Sequence, residues 1–152
     1  MNLSPAGLKL LTADEGLRLV PYNDQAGNAT VGYGHLLHRG PLNGTEVPIT
    51  NAEALSLLAQ DVHDDAEVYV NQIKVPLNQN QYDALCIFCY NVGPRDLETV
   101  VSETGLNQGN YSAVPGKILL YNKERNQQGV LVALPGLTTR RQQEAALFST
   151  PL

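Results

Sequence analysis

The chain has 152 residues, a formal net charge of −5 and only two cysteines, which bounds it to one domain, or one domain with two lobes, able to bury a sizeable core without disulfides or metals. Charge is uneven: residues 1–45 sum to zero, residues 46–103 carry ten acidic and two basic groups, and residues 104–152 carry five basic and two acidic. Lacking a basic stripe, the chain is not a nucleic-acid binder. No run approaches transmembrane length, and MNLSPAGLKLL has neither a basic n-region nor a long apolar h-region, so neither stable membrane insertion nor a secretory signal is expected.

Ser4-Pro5 reads as a helix start, a capping residue followed by proline at the first helical position. Leu8 and Leu11 give the apolar side, widened by Leu10, and Gly16 is the expected terminator. Glu15 then falls in the last turn, where the negative pole of the helix dipole disfavours a carboxylate. Leu17 to Val20 suits a strand. Asp24-Gln25-Ala26-Gly27-Asn28 supplies turn residues, and Thr30 to His35 returns as a second strand, making a small β-hairpin. Strand parity puts Thr30, Gly32 and Gly34 on one face, which beyond Thr30 has no side-chain bulk and lets a sugar approach the backbone. Glu15 at a helix end and Asp24 in a polar turn are two carboxylates in unlike environments. That is the pattern of general-acid and general-base work in glycoside hydrolysis.

Residues 39–49 read as a loop with a short third strand near Glu46–Ile49. His35 and His38 are better placed as structural residues than as metal ligands, and His35 is expected to pair with Asp61. Thr50-Asn51-Ala52-Glu53 is a capping box opening a long helix, with Leu55, Leu58, Val62, Ala66, Tyr69 and Ile73 as its apolar stripe and Pro76 as its end. Asn78 to Gln81 offers a second box-like cap. Residues 82–92, YDALCIFCYNV, are apolar nearly all round and predict a buried central helix, ended by Gly93-Pro94. Cys86 and Cys89 lie inside it and read as reduced core thiols. Asn91 is a possible hydrogen-bonding residue of the cleft. A short helix is expected over 95–104, another from Pro115 to Tyr121, a loop or loose strand over 124–136, and a last helix from Arg140 to Phe148 capped by Thr138 or Thr139.

The string E-G-x5-Y-x-D-x2-G-x2-T-V-G-Y-G-H over Glu15–His35 resembles the active-site segment of the phage-type lysozymes, the endolysins of T-even and lambdoid bacteriophages (glycoside hydrolase family 24). PLNQNQYDALCIFCYNVG and GLTTRRQQE resemble two further strings of that family. The chain departs from it at 97–101, where Val100 and Val101 replace the usual residues, and at Tyr121, where Trp is common.

The resemblance implies a mostly helical α+β, lysozyme-like fold. A small β-hairpin lobe, about residues 13–60, is joined by the long helix to a helical lobe, about 61–152 with the N-terminal helix, and a cleft lies between. It implies a muramidase cleaving the β-1,4 bond between N-acetylmuramic acid and N-acetylglucosamine. Glu15 is then the acid, Asp24 the base and Thr30 the holder of the attacking water. Inversion follows, with a carboxyl separation of roughly 6.5–9.5 Å. Tyr22, Gly32 and His35 are expected to support the site. One of Arg140 and Arg141 is expected to reach the Glu15 end of the cleft, against the alternative of a surface pair at a helix start. No metal or cofactor is implied. The partner is peptidoglycan, the working form a monomer, and the route synthesis in the host cytoplasm followed by release through a separate holin lesion. A chitinase- or chitosanase-like hydrolase and a catalytically silent wall-binding module are the alternatives.

Overall fold

A computed structural model describes residues 1–152. It is mostly helical with two small antiparallel sheets, and it divides into two compact units: Leu8–Asp64, and Met1–Gly7 with Asp65–Leu152.

Helix α1 spans Pro5–Asp14. Ser4 caps it as the sequence predicts, its hydroxyl oxygen accepting the Gly7 amide at 3.0 Å. Glu15 closes the last turn, its amide donating to the Leu11 carbonyl at 3.0 Å. Gly16 is not the left-handed terminator expected, for its φ is not positive; the chain simply leaves the helix and extends into β1.

In the unit Leu8–Asp64, β1 (Arg18–Asn23), β2 (Ala29–Gly32) and β3 (His35–His38) form one antiparallel sheet in that order. The two-stranded hairpin of the sequence reading is therefore corrected to three strands. The run from Thr30 to His35 is broken at Gly32-Tyr33-Gly34, because Gly32 and Gly34 both take left-handed φ, +70° and +81°, which only glycine does cheaply. The expected strand at 46–49 is a loop whose end, the Ile49 amide, bonds the Leu19 carbonyl at 2.9 Å.

Helix α2 (Asn51–Val62) starts at a complete capping box: Thr50 Oγ1 accepts the Glu53 amide at 3.1 Å and Glu53 accepts the Thr50 amide at 2.8 Å. It packs on β2 and β3, and Leu11, Ala29, Val31, Ala54, Leu58 and Val62 are the buried apolar residues of this unit. The helical path continues through a π turn, His63–Glu67, into α3, Val68–Val70. The buried positions are Ala54, Leu58, Val62, Ala66 and Val70, four residues apart. An α-helix turns once in 3.6 residues, so such a row drifts around the axis. The wider π turn offsets that drift and keeps Ala66 and Val70 in line with Val62. Leu55 and Tyr69, expected on the buried stripe, are instead exposed, and the helix stops at Val70, short of Ile73.

In the helical unit, α4 (Gln79–Val92) begins with the second capping box, Asn78 with Gln81. Tyr82 to Cys89 are eight consecutive buried residues, as the sequence predicts for a central helix. Burial holds the Cys89 thiol up at about 12 and raises the Cys86 thiol further, so both are inert. Helix α5 (Pro94–Thr104) starts on proline and ends at Gly105. Its φ of +73° is the left-handed cap that a side chain would strain.

Helix α6 is only Val114–Ile118, and β4 (Lys123–Arg125) with β5 (Leu131–Ala133) makes a hairpin where a loop or loose strand is expected. Helix α7 runs Pro135–Ser149, starting five residues before Arg140. Proline at the first position sets the helical φ, and Thr138 and Thr139 lie inside the first turns. Thr139 donates to the Pro135 carbonyl, and Thr138 Oγ1 accepts from Asn122. Neither is a cap. No helix is long and apolar enough to cross a membrane.

The first residues are tied to the helical unit by buried carboxylates. Glu67 accepts the Leu3 amide at 2.6 Å; Asp83 accepts the Ser4 amide at 3.0 Å, the Ser4 hydroxyl, and Gln79 Nε2 at 2.8 Å. Removing a buried charged acceptor strands its donors, at about 1.5–3 kcal/mol. Asp83→Ala is therefore expected to lower unfolding stability in urea by about 2–3 kcal/mol, with hydrogen exchange at Ser4 accelerated ahead of global unfolding. An unchanged urea midpoint contradicts this account.

Candidate active site

The turn after β1 is built around Asp24. Its Oδ1 accepts the amides of Ala26 and Asn28, both at 2.9 Å, while its backbone pairs with Asn28 and Gly27. One carboxylate oxygen is thereby locked by the turn, and Oδ2 takes no part in it. An anion held by two backbone donors is favoured in its charged form.

Asn28 wires this turn to the rest of the sheet. Its side-chain oxygen accepts the Gly40 amide at 2.9 Å, and its carbonyl accepts both the Asp24 amide and the Thr30 hydroxyl at 2.9 Å. Nothing in the sequence reading singled Asn28 out; an Asn three residues after an Asp in a turn was the available signal.

Thr30 is 3% exposed. Its hydroxyl proton is committed to the Asn28 carbonyl, so toward any further group its oxygen can only accept. Tyr22 is the cross-strand partner of Thr30, so the two side chains share one face of the sheet. The Arg18 guanidinium lies 4.1 Å from the centre of the Tyr22 ring, a cation–π contact that orients the ring.

Gly32 does not offer the open face expected of it. A Cβ placed there would lie 3.3 Å from Ile49 Cδ1 and 3.5 Å from Ala54 Cβ, so the residue sits tightly under α2 and supports the sheet. His35 does pair with Asp61: Nδ1 lies 3.0 and 2.9 Å from the two carboxylate oxygens, pinning the start of β3 to α2. His38 has the partner that the sequence reading missed. Nε2 lies 2.5 Å from Glu46 Oε1 and Nδ1 lies 3.0 Å from the Arg39 carbonyl. Both acceptors lack a proton to give, so both ring nitrogens donate and the imidazole is the cation. Glu46 also accepts the amides of Asn43 and Gly44, at 2.9 and 3.0 Å, which folds residues 39–46 into a closed loop.

In the helical unit, Arg141 is completely buried. Its Nε lies 2.7 Å from Glu144 Oε2, and its Nη2 donates to Glu144 Oε1 and to Asn91 Oδ1, each at 2.8 Å. Nη1 reaches the Tyr121 carbonyl at 3.3 Å. The surface-pair alternative is excluded for Arg141, and Asn91 is a structural partner as well as a residue at the end of α4. Arg140, one position earlier, is half-buried. No group of three His, Cys, Asp or Glu is arranged to hold a metal ion.

A family model described as phage lysozyme matches residues 12–144. The chain is 40% identical over 150 residues to the endolysin of Acyrthosiphon pisum secondary endosymbiont phage 1, covering 99% of each chain. It superposes on the endolysin from Escherichia coli O157:H7 phage FAHEc1 with a TM-score of 0.80 and 33% identity, over 98% of this chain and 94% of that one. The muramidase domain of SpmX from Asticaccaulis excentricus is similar at a TM-score of 0.80 and 29% identity, over 99% of each.

The His38–Glu46 pair sets a pH window. The Asn43 amide, with the Gly44 amide and the His38 ring, holds the Glu46 carboxyl down at about 2 against an ordinary 4.5. Its stabilisation is complete above 4.5 and lost as pH falls through about 2. The Arg39 carbonyl and then Glu46 raise His38 above its ordinary 6.5; that stabilisation is complete below 6.5 and lost as pH rises through the folded value. The melting-temperature difference between the protein and its Glu46→Gln variant is accordingly expected to be largest between pH 4.5 and 6.5 and to shrink on both sides. A difference that stays flat from pH 5 to 9 contradicts the pairing.

Proposed function

Because the chain belongs to the phage lysozyme family, we propose that Glu15, Asp24 and Thr30 are the residues that carry out its reaction. The protein is a lysozyme, a muramidase that hydrolyses the β-1,4 bond between N-acetylmuramic acid and N-acetylglucosamine in peptidoglycan, and it acts on the cell wall in host lysis. The observation that carries the residue assignment is the pair of acceptors at the hairpin. Asp24 keeps one oxygen outside its turn, and the Thr30 hydroxyl, its proton taken by Asn28, can only accept.

A water between them gives one hydrogen bond to each and presents its lone pair outward. In the reaction, Glu15 transfers its proton to the glycosidic oxygen as the bond to the anomeric carbon breaks. The water oxygen attacks that carbon from the opposite face while its proton passes to Asp24. Glu15 finishes as the carboxylate and Asp24 as the acid, and proton exchange with solvent restores both. The configuration at the anomeric carbon is inverted. Tyr22 lines the same sheet face as Thr30, while Gly32 and His35 hold the sheet against α2. The proposal includes a monomeric enzyme made in the host cytoplasm and delivered by a separate holin lesion; family membership supports this part.

Glu15→Gln is expected to reduce release of reducing sugar from purified peptidoglycan by about 10²–10⁴-fold while circular dichroism and melting temperature are retained. A fully active variant removes Glu15 from the role. Proton NMR of the first product is expected to show the α-anomer at the new reducing end; initial β-anomer overturns the inverting scheme and the water placed at Thr30.

A further inference from the structure

The helical unit contains a cavity of about 520 Å³ that the reaction just described does not use. It opens between the turn following α3 and the first half of α5. Its floor is apolar: Leu97 and Val101 are buried, Ile73 is half-buried, and the ring of Tyr69 stands at one side. Its rim is charged in both senses. Arg95 and Glu98 are three residues apart on α5, hence on the same helix face, and Lys74 comes from the turn. The Lys74 amide donates to Asn107 Oδ1 at 2.8 Å, which fixes the turn that carries it. Tyr69 and Pro94 also line a second cavity that runs on to Asn91 and Val92, so the space continues along the unit as a trough.

A cavity of this size suits a ligand of a few residues. The ligand should place small apolar groups on the floor, carboxylates against Lys74 and Arg95, and an amine against Glu98. Peptidoglycan supplies such a ligand on its muramic acid sugars: a short peptide with alanine methyls, free carboxylates and, commonly, a diamino acid. We propose that this cavity is a binding site for the stem peptide of peptidoglycan, by which the enzyme recognises peptide-bearing strands. The proposal rests on the muramidase reading and names a part of the substrate beyond the scissile bond.

The test compares the protein with the double variant Lys74→Glu/Arg95→Glu on two substrates, peptide-bearing glycan strands and the same strands stripped of peptide by an amidase. Two rim contacts turned repulsive are expected to lower kcat/KM on peptide-bearing strands about fivefold, with no change on stripped strands. In parallel, a soluble tetrapeptide of alanine, D-glutamate, a diamino acid and D-alanine is titrated into the unaltered protein. Saturable amide shifts at Lys74, Arg95 and Glu98 are expected. Absence of those shifts, or a loss of rate equal on both substrates, overturns the peptide site. An unaltered protein that releases no reducing sugar from either substrate overturns the muramidase reading instead, and the titration still decides the cavity.

Discussion

The helical unit depends on one buried ion pair. Arg141 and Glu144 lie on α7 with almost no exposure, in a place where an unpaired charge would cost several kcal/mol. The pair is tolerated because its hydrogen-bonding capacity is used on all sides: Glu144 takes two contacts from the guanidinium, and Asn91 and the Tyr121 carbonyl take the others. The Phe88 ring stands 5.2 Å from the guanidinium carbon and meets Tyr121 edge-on at 5.3 Å. These contacts bring the end of α4, the segment after α6 and the middle of α7 to a common point. Each partner thus fixes the rotation of a different element, which apolar packing alone specifies only loosely.

The small unit follows the same logic with backbone groups in place of an arginine. Asp24 organises a turn through two amides, Asn28 ties that turn to Thr30 and Gly40, and Glu46 closes the next loop on His38. None of these polar groups is idle, and the sheet they frame is small. That suits a hydrolytic site, which needs a carboxylate oxygen and a hydroxyl oxygen held in fixed directions. The commitment of the Thr30 proton to Asn28 matters most for the chemistry, because it decides that Thr30 receives rather than gives a hydrogen bond.

The candidate site was legible where the chain's local rules act alone. Both capping boxes, the Ser4 cap, the buried run from Tyr82 to Cys89 and the Asp24 turn all follow from side chains bonding to backbone a few residues away. The His35–Asp61 pair, 26 positions apart, was also foreseen, because a histidine leaving a strand and an aspartate off the apolar stripe of α2 have few other uses. Local periodicity failed where packing chose among near-equal patterns. Leu55 and Tyr69 fit the helical stripe as well as Ala54 and Val70 do, but only the smaller and branched residues are buried. The start of α7 was missed because Thr138 and Thr139 resemble caps, while Pro135 occupies the first helical position.

By itself the sequence determined the order of helices and strands, the caps that start them, and the string from Glu15 to His35 that marks the family. These depend on backbone preferences and on contacts within one turn or hairpin. Only the tertiary structure decided that Arg141 belongs to the core and that His38 is paired with Glu46. It also decided that Gly32 is covered by Ile49 and Ala54, and that a π turn keeps the long helix in register. In each case the choice is made by burial: whether a charge, a missing side chain or a row of apolar residues is tolerated depends on what stands opposite it, and no spacing along the chain records that.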